Sequence, residues 1–459
     1  MKIPVIILQV AAVIIFGIVV VFGVRLYDAW RINADLVERY ADPETMVMEE
    51  IFTDETIDDQ AAATSRAKRW RNRTTPTAPA VTAPAVSATP TTTPAAPVTK
   101  PATTVAPKPA TTATPAAATT PAAPAATQKI VSGIAAGYIL STMTEAQIRN
   151  YFTEMNKLGM NWVRFDIDWS GVQRNGPTTY SWTEIDRIVR LAGEYKINTL
   201  AILAYAPKWA AKDTCIAGQK CAPKDPAQFA TFAGAAATRY KNNMAAWEIW
   251  NEPNMDYFWS PKANGTEYAA FLKAGSDAIR AAQPGAIIVT GGLSPVTSSR
   301  TTVDPLVFLK DMYGAGAKGS FDAIGHHPYT YALSPASTLP WNHWYQMYKI
   351  YDLMNQNGDG AKKVWITEIG APTGGSGTGR ALGTVNFAHG SDYLTQTAQA
   401  ETMSALIAES SKISRWIGPV FWYSLVDINS KSTDPEGHFG LITSDNKYKA
   451  SHNTLLNIR

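Results

Sequence analysis

Two glutamates that are far apart in the chain each end an apolar run with the pattern of a strand. Glu252 lies in Trp-Glu-Ile-Trp-Asn-Glu-Pro-Asn at 247–254, and Glu368 lies in Lys-Val-Trp-Ile-Thr-Glu-Ile-Gly at 363–370. A protonated carboxyl facing an ionised one is the arrangement that cleaves a glycosidic bond. A (β/α)₈ barrel holds such groups at the C-terminal ends of its strands. The rest of the chain must therefore supply a barrel.

From residue 129 onward, apolar runs alternate with amphipathic helical stretches, which predicts parallel βα units. We predict an α/β fold, a (β/α)₈ TIM barrel over 129–459. Its eight candidate strands are 130–138, 160–168, 198–205, 245–251, 286–292, 321–329, 363–369 and 418–425.

Helix starts are marked between these runs. Thr144 and Gln147 have the spacing of a capping box, and a helical apolar pattern follows until Gly159. Asp225-Pro226 and Asp304-Pro305 combine a capping residue with a proline at the first helical position, which is a start signal.

Alternation of side chains sorts the fourth strand into two faces. Glu248, Trp250 and Glu252 are expected to share the inward face, with Glu252 at the mouth and Glu248 about 13 Å deeper. Glu248 is therefore predicted to be a buried structural partner, with Arg164 on the second strand as its candidate. The same alternation groups Arg164 with Asp166 and Asp168.

On the seventh strand, alternation groups Val364, Ile366 and Glu368 on the inward face. On the sixth it groups His327 with Tyr329. His326 falls on the other face, which predicts a structural role for it.

These motifs resemble clan A of the glycoside hydrolases, and family 39 with related surface-polysaccharide endoglycosidases most of all. The resemblance covers about residues 130–459. It implies that Glu252 is the general acid/base and that Glu368 is the nucleophile of a retaining enzyme. Asn251 would hold the 2-hydroxyl of the sugar.

The resemblance also implies substrate-binding roles for further residues. Arg164 and the His327-Pro328-Tyr329 segment would flank the nucleophile. Trp422 would lie under the sugar, and Trp209 would line a subsite. Trp169 also offers a flat face for a sugar ring. Asp166 and Asp168 fit equally well as partners of Arg164 or as sugar contacts.

The activity that this resemblance implies is retaining, endo-acting hydrolysis of an extracellular or cell-wall polysaccharide. It requires no metal and no organic cofactor. A transglycosylase would use the same two glutamates with a sugar acceptor. A glycan-binding barrel that has lost catalysis is the other alternative, and the presence of both glutamates argues against it.

The two cysteines, Cys215 and Cys221, are only six positions apart. A disulfide-closed loop is expected, worth about 2.4 kcal/mol by loop entropy, and it indicates an oxidising compartment. Two free thiols are the alternative. A metal site usually requires four ligands, so a pair of cysteines alone does not predict one.

The 459 residues are 46% hydrophobic and 17% charged, with a formal net charge of +3. This composition suits one large domain with appendages, and the small charge gives no reason to expect a nucleic-acid partner. Residues 3–24 are almost continuously apolar, which predicts a transmembrane helix. No small-residue cleavage site follows, so we expect an uncleaved signal-anchor over 1–27.

Two further segments separate this anchor from the barrel. Residues 28–73 are charged, acidic first and then basic, and predict a solvated juxtamembrane segment; contact with a partner or an anionic wall polymer is the alternative. Residues 74–128 are rich in Pro, Ala and Thr and predict a disordered linker. We expect the catalytic domain to be membrane-anchored and extracytoplasmic. Since flanking charges barely decide orientation, a cytoplasmic tethered domain is the alternative.

Overall fold

The computed structural model describes residues 131–374, 379–383 and 393–458. The predicted anchor over 1–27, the charged segment 28–73 and the linker 74–128 lie outside these residues. Within the described part of the chain, none of the helices has the length and apolar character needed to cross a bilayer.

Eight parallel strands close into a barrel in sequence order, which confirms the predicted (β/α)₈ fold. The strands are β1 (Gly133–Gly137), β2 (Trp162–Asp168), β3 (Asn198–Ala204), β4 (Ala246–Asn251), β5 (Ile287–Gly292), β6 (Ala323–His326), β7 (Lys363–Ile369) and β8 (Ile417–Trp422). The sixth strand is shorter than predicted. It ends at His326, so His327 and Tyr329 belong to the segment that follows it.

Helices connect the strands on the outside of the barrel. They are α1 (Ile139–Thr142), α2 (Glu145–Lys157), α3 (Trp169–Val172), α4 (Thr183–Glu194), α5 (Pro226–Tyr240), α6 (Gly265–Ala282), α7 (Pro305–Gly314), α8 (His343–Gln356), α9 (Gln396–Lys412) and α10 (Ala450–Asn457). A short 3₁₀ helix, Pro435–His438, follows β8.

The predicted helix starts are confirmed. Gln147 donates its backbone N–H to Thr144 and accepts the Thr144 N–H in return, which completes the capping box. Asp225 and Asp304 accept N–H groups from the first turns of α5 and α7, and a proline stands at the start of each helix. Each cap satisfies donors that a helix cannot satisfy within itself.

Two apolar layers stabilise the barrel. The outer layer lies between strands and helices, and the inner layer fills the barrel with side chains from every strand. Trp162 of β2 is partly buried and packs against the inner layer, with its ring edge-on to Trp365 at 5.5 Å and to Phe421 at 6.2 Å. This apolar floor leaves the upper barrel to polar side chains.

Strict alternation along β7 predicted the wrong face for two residues. Val364 and Ile366 pack in the outer layer, whereas Trp365 belongs to the inner layer. The pairing of β7 with β8 is irregular between Ile366 and Ile369. An irregularity resets which side chains face inward, and this one lies where Glu368 enters the site.

The prediction for Trp250 was also wrong, because β4 does not keep a period of two to its end. Trp250 has a φ of 74°, and its ring packs outward against Trp259 at 5.1 Å and Phe229 at 6.4 Å. The turned backbone brings Asn251 inward instead. Backbone held at positive φ in a residue other than glycine is a strain found at functional sites.

Candidate active site

Arg164 is the centre of the polar network above the apolar floor, and it is completely buried. Its Nε donates to Glu248 Oε2 at 2.5 Å and its Nη2 donates to Glu248 Oε1 at 3.0 Å. The predicted structural pairing of Glu248 with Arg164 is therefore confirmed. A buried arginine needs such a partner, because an unpaired charge away from water costs several kcal/mol.

The same guanidinium reaches two residues at the mouth of the barrel. Arg164 Nη1 donates to Glu368 Oε1 at 2.5 Å, and Nη2 donates to Asn251 Oδ1 at 2.8 Å. The other carboxylate oxygen of Glu368 accepts the Tyr329 hydroxyl at 2.8 Å. Both oxygens of Glu368 are thus held by hydrogen bonds that fix the carboxylate in one orientation.

These contacts act on the protonation of Glu368. Burial works to raise the pKa of this carboxyl, but His327, Arg164 and the Tyr329 hydrogen bond outweigh it and hold the pKa below the usual value. Cations and hydrogen-bond donors favour the charged form of a carboxyl. Glu368 is therefore an ionised carboxylate at neutral pH.

His327 brings the two glutamates together. Its Nδ1 lies 3.0 Å from Glu252 Oε1 and 3.6 Å from Glu368 Oε2. Because both oxygens lie so close to one atom, they are at most about 6.6 Å apart. Two carboxyls that act on the same sugar carbon are about 5–5.5 Å apart in retaining enzymes, a separation that this bound allows.

Gly292 at the end of β5 makes room for the His327 ring. A Cβ at this position would collide with His327 Nε2 and with Thr367 Oγ1. Any larger residue would therefore displace the histidine from its position between the two glutamates. Gly292 also accepts the backbone N–H of Glu252 at 3.0 Å, so it positions that residue directly.

The prediction that Trp422 lies under the sugar is wrong. Trp422 is fully buried in the outer layer, and its indole N–H donates to the Phe439 carbonyl at 3.3 Å. Alternation along β8 directs its neighbours Phe421 and Tyr423 into the barrel. The aromatic residue available at this place is Tyr423, which is half-buried.

Tyr423 contacts a third carboxyl, that of Glu436, which was not among the predicted site residues. Its hydroxyl donates to Glu436 in the 3₁₀ helix. Burial raises the pKa of Glu436 to about 7; the hydrogen bond from Tyr423 opposes this, and Glu368 adds to it. The alternation of β8 was the available signal for Tyr423, whereas nothing in the sequence marks Glu436, which approaches only through the fold.

The two aspartates on β2 separate into different roles. Asp168 caps α3, accepting from the Ser170 N–H at 2.9 Å and the Ser170 hydroxyl at 2.7 Å. Asp166 remains at the mouth, where burial raises its pKa to about 7 in spite of Arg164. Asp168 is therefore a structural residue, whereas Asp166 interacts electrostatically with Arg164, Glu368 and Lys220.

The remaining predicted aromatic residues lie beside the site. Trp169 is fully buried and stacks on Phe232 at 5.2 Å, so the suggestion that it offers a face to sugar is wrong. Trp209 is half-exposed, with its indole N–H fixed on the Gln173 carbonyl at 2.8 Å. His326 is buried on the outer side of β6, and burial lowers its pKa to about 3. Its place outside the site agrees with the structural role predicted.

The disulfide prediction is confirmed. Cys215 and Cys221 are bonded, with Cα atoms 5.4 Å apart. The bond closes a short loop between β3 and α5, at the end of the barrel where Tyr205 follows the third strand.

The closed (β/α)₈ barrel and the two glutamates at its mouth are typical of a glycoside hydrolase. The family model described as Cellulase (glycosyl hydrolase family 5) matches residues 125–405, more than half of the chain. The chain therefore belongs to glycosyl hydrolase family 5, a family of glycoside hydrolases. The matched range includes Glu252 and Glu368 and ends before β8.

Solved structures show the same architecture. The family 39 glycoside hydrolase from Bacteroides cellulosilyticus WH2 has a TM-score of 0.54 at 19% identity, covering 72% of this chain and 63% of that one. A monomeric beta-xylosidase from Caulobacter crescentus CB15 has a TM-score of 0.53 at 15% identity, covering 72% and 68%. The chain thus spans less than two thirds of the first protein's length. At these identities the likeness shows the fold alone. No curated protein sequence matches the chain.

Proposed function

We propose that this protein is a retaining glycoside hydrolase that cleaves internal bonds of a polysaccharide by double displacement. The observation that carries the proposal is the contact of one histidine atom with both glutamates, at 3.0 Å and 3.6 Å. This spacing suits two carboxyls that act on one sugar carbon. The family 39 resemblance and the family 5 match support the same chemistry.

In the first step, a Glu368 oxygen attacks the anomeric carbon while Glu252 gives its proton to the departing glycosidic oxygen. The bond to the leaving sugar breaks, and a glycosyl ester with Glu368 forms. In the second step, Glu252 takes a proton from water, the water oxygen attacks the anomeric carbon, and the ester bond breaks. The proton that Glu252 gives up is thereby restored.

The residues around the two glutamates have separate roles in this reaction. Arg164 and Tyr329 keep Glu368 ionised and aimed. The Asn251 oxygen is taken by Arg164, which leaves the amide Nδ2 to donate to a sugar 2-hydroxyl. His327 links both carboxyls, and Trp209 would line a more distant subsite. A sugar acceptor that replaces water in the second step would give transglycosylation.

Trapping with a 2-fluoro glycoside tests the double displacement, because it makes the glycosyl ester long-lived. We expect peptide mass mapping to find the label on Glu368. The configuration of the first product, read by NMR, should be retained. A barrel that only binds glycans would acquire no label, and wild-type inactivity across a broad glycan panel would overturn the proposal. Products made only of single terminal sugars would show exo rather than endo action.

We further propose that residues 1–27 anchor the protein in a membrane and that 28–128 hold the barrel on the cell-surface side. The apolar run at 3–24 and the Pro/Ala/Thr-rich linker support this placement, and the disulfide suits an oxidising compartment. Fractionation of cells that express the full chain or residues 28–459 tests it. We expect only the full chain in the membrane fraction, with its barrel accessible to externally added protease. A protected barrel would place it in the cytoplasm instead.

A further inference from the structure

The loop closed by the disulfide is fixed against the segment that follows Glu252. The Lys220 N–H donates to the Tyr257 carbonyl at 2.8 Å, and the Ser260 N–H donates to the Lys220 carbonyl at 3.0 Å. Ser260 is fully buried, so this attachment is anchored in the core. The Cys215–Cys221 bond leaves the loop few other conformations. The backbone of Lys220 therefore has a defined position.

The Lys220 side chain extends from this loop toward the site. Its Nζ lies 4.8 Å from the ring centroid of Tyr205, a cation–π contact, while the residue as a whole stays exposed. The Tyr205 ring is held in turn by Trp250, edge-on at 5.5 Å, and by Phe258, stacked at 6.2 Å. The ammonium group thus rests on a rigid aromatic support.

Tyr205 connects this ammonium group with the catalytic centre. Burial raises the pKa of Tyr205 well above its usual value, with contributions from Asp166, Glu252 and Glu368. The charge of Lys220 acts on Asp166 as well. The Tyr205 ring packs edge-on against Trp250, two residues before Glu252, so the Lys220 ammonium lies on the Glu252 side of the barrel mouth.

Lys220 forms no ion pair with a carboxylate in the part of the chain that the structure describes. A lysine ammonium has three donors and no acceptor, so a group from outside the protein can take up its hydrogen bonds. We propose that Lys220 is a specificity-determining residue, which donates to hydroxyls of an uncharged sugar unit adjoining the one that is cleaved. The disulfide keeps the residue in place. This inference rests on the proposed glycoside hydrolysis.

The charges around the cleft favour an uncharged sugar. Asp166, Glu252, Glu368 and Glu436 interact electrostatically with one another or with shared neighbours at the mouth. Arg164 is already occupied by Glu248, Glu368 and Asn251. A sugar carboxylate would be repelled by the ionised Glu368, whereas a hydroxyl accepts from Lys220 without that cost.

Binding to the Glu368→Gln variant tests the proposal apart from turnover. The probes are hexasaccharides of β-1,4-glucan, xylan and mannan, with a uronic-acid hexasaccharide as the charged arm. For the neutral hexasaccharide that binds best, we expect Lys220→Met to raise the Kd about tenfold, as for a lost hydrogen bond to a charged group. Lys220→Arg should stay within about threefold of the parent. The exposed neighbour Lys224→Met is the matched control and should leave the Kd unchanged.

Kinetics with active enzyme separate binding from a structural effect. Lys220→Met should raise KM for the neutral hexasaccharide about tenfold with kcat unchanged, whereas Lys224→Met should leave both constants unchanged. Unchanged Kd and KM, or loss of binding confined to the uronic-acid probe, would overturn the inference while the hydrolase stands. If no probe is bound or cleaved, both proposals fall.

A double-mutant cycle tests the disulfide. Replacing Cys215 and Cys221 with serine should raise KM in the wild-type background but have little further effect in Lys220→Met, because the two changes disturb one interaction. Equal increases in both backgrounds would show that the loop acts independently of Lys220, and would overturn the role assigned to the disulfide.

Discussion

Arg164 and Glu248 form a two-point ion pair inside the barrel, with side chains that are only 1% and 0% exposed. Glu248 also accepts the Gly292 N–H at 2.8 Å, so it connects β2, β4 and β5. The pair fixes the guanidinium whose remaining N–H groups hold Glu368 and Asn251. A glutamate distant from the reacting sugar therefore determines where the nucleophile stands.

Replacing Glu248 with glutamine should destabilise the fold, because an amide N–H would face the guanidinium and leave a buried charge partly unpaired. We expect the free energy of unfolding in urea to fall by about 3–5 kcal/mol. Activity at low temperature should fall as well, since Arg164 loses its fixed position. The exposed Glu184→Gln is the control and should leave the midpoint unchanged. A Glu248→Gln variant as stable as wild type would refute the structural role.

The two catalytic candidates should respond differently to substitution. Glu368→Gln replaces the attacking carboxylate with a neutral amide, and we expect kcat/KM to fall on the order of 10⁴-fold for every substrate. Glu252→Gln removes the proton donor, with a loss of about 10²–10⁴-fold for a natural leaving group. A nitrophenyl leaving group needs no proton, so its first step should be spared, visible as a burst of nitrophenol. A burst from Glu368→Gln instead would reverse the assignment.

The fold was predictable because its signals are local. Apolar runs, capping residues and Asp-Pro starts each act within a few residues, and all eight strands were placed from them. The end of β6 was not predictable, because His327 and Tyr329 lie beyond the strand while their side chains still point at the site. The predicted parts of the chain before residue 131 lie outside the described structure and stay predictions.

The site residues were predictable where the family resemblance assigned their roles. The prediction was wrong where strict alternation was extended through an irregular strand. Trp250 at positive φ and the irregular pairing beyond Ile366 both break a period of two. Such breaks are decided by tertiary contacts, and a sequence pattern does not reveal them. Trp422 was carried over by resemblance, although the alternation that groups Tyr423 with Phe421 favours the tyrosine.

Variants of Tyr423 and Trp422 test which of these two aromatic residues lies under the sugar. We expect Tyr423→Ala to raise KM about tenfold through the loss of an aromatic surface, and also to lower stability, because Tyr423 packs on the inner layer and donates to Glu436. Trp422→Phe should lower the free energy of unfolding by about 1–3 kcal/mol through the cavity it leaves, with KM unchanged. Steady-state kinetics and urea unfolding on both variants check the pair. The opposite pattern would restore Trp422 as the sugar platform.

Asp166 should make stability depend on pH. Burial raises its folded pKa to about 7 from 3.8, so its contribution to stability is present below about pH 3.8 and is lost as the pH rises through 7. Asp166→Asn removes this dependence. We therefore expect the Tm difference, variant minus wild type, to be more positive at pH 8 than at pH 4.5. A difference that does not change with pH would mean that Asp166 titrates normally.

Tyr329 should set the acid limb of the pH–rate profile. Its hydroxyl is one of the donors that lower the pKa of Glu368, so Tyr329→Phe should raise that pKa and leave less of the ionised nucleophile at low pH. We expect kcat/KM to fall severalfold more at pH 5 than at pH 7, with the acid limb moved to higher pH. Tyr331→Phe is the matched control, because Tyr331 stacks on Tyr329 at 5.8 Å and among the described contacts makes no hydrogen bond to Glu368. An acid limb that stays in place in Tyr329→Phe, or moves equally in both variants, would show that the hydroxyl does not tune the nucleophile.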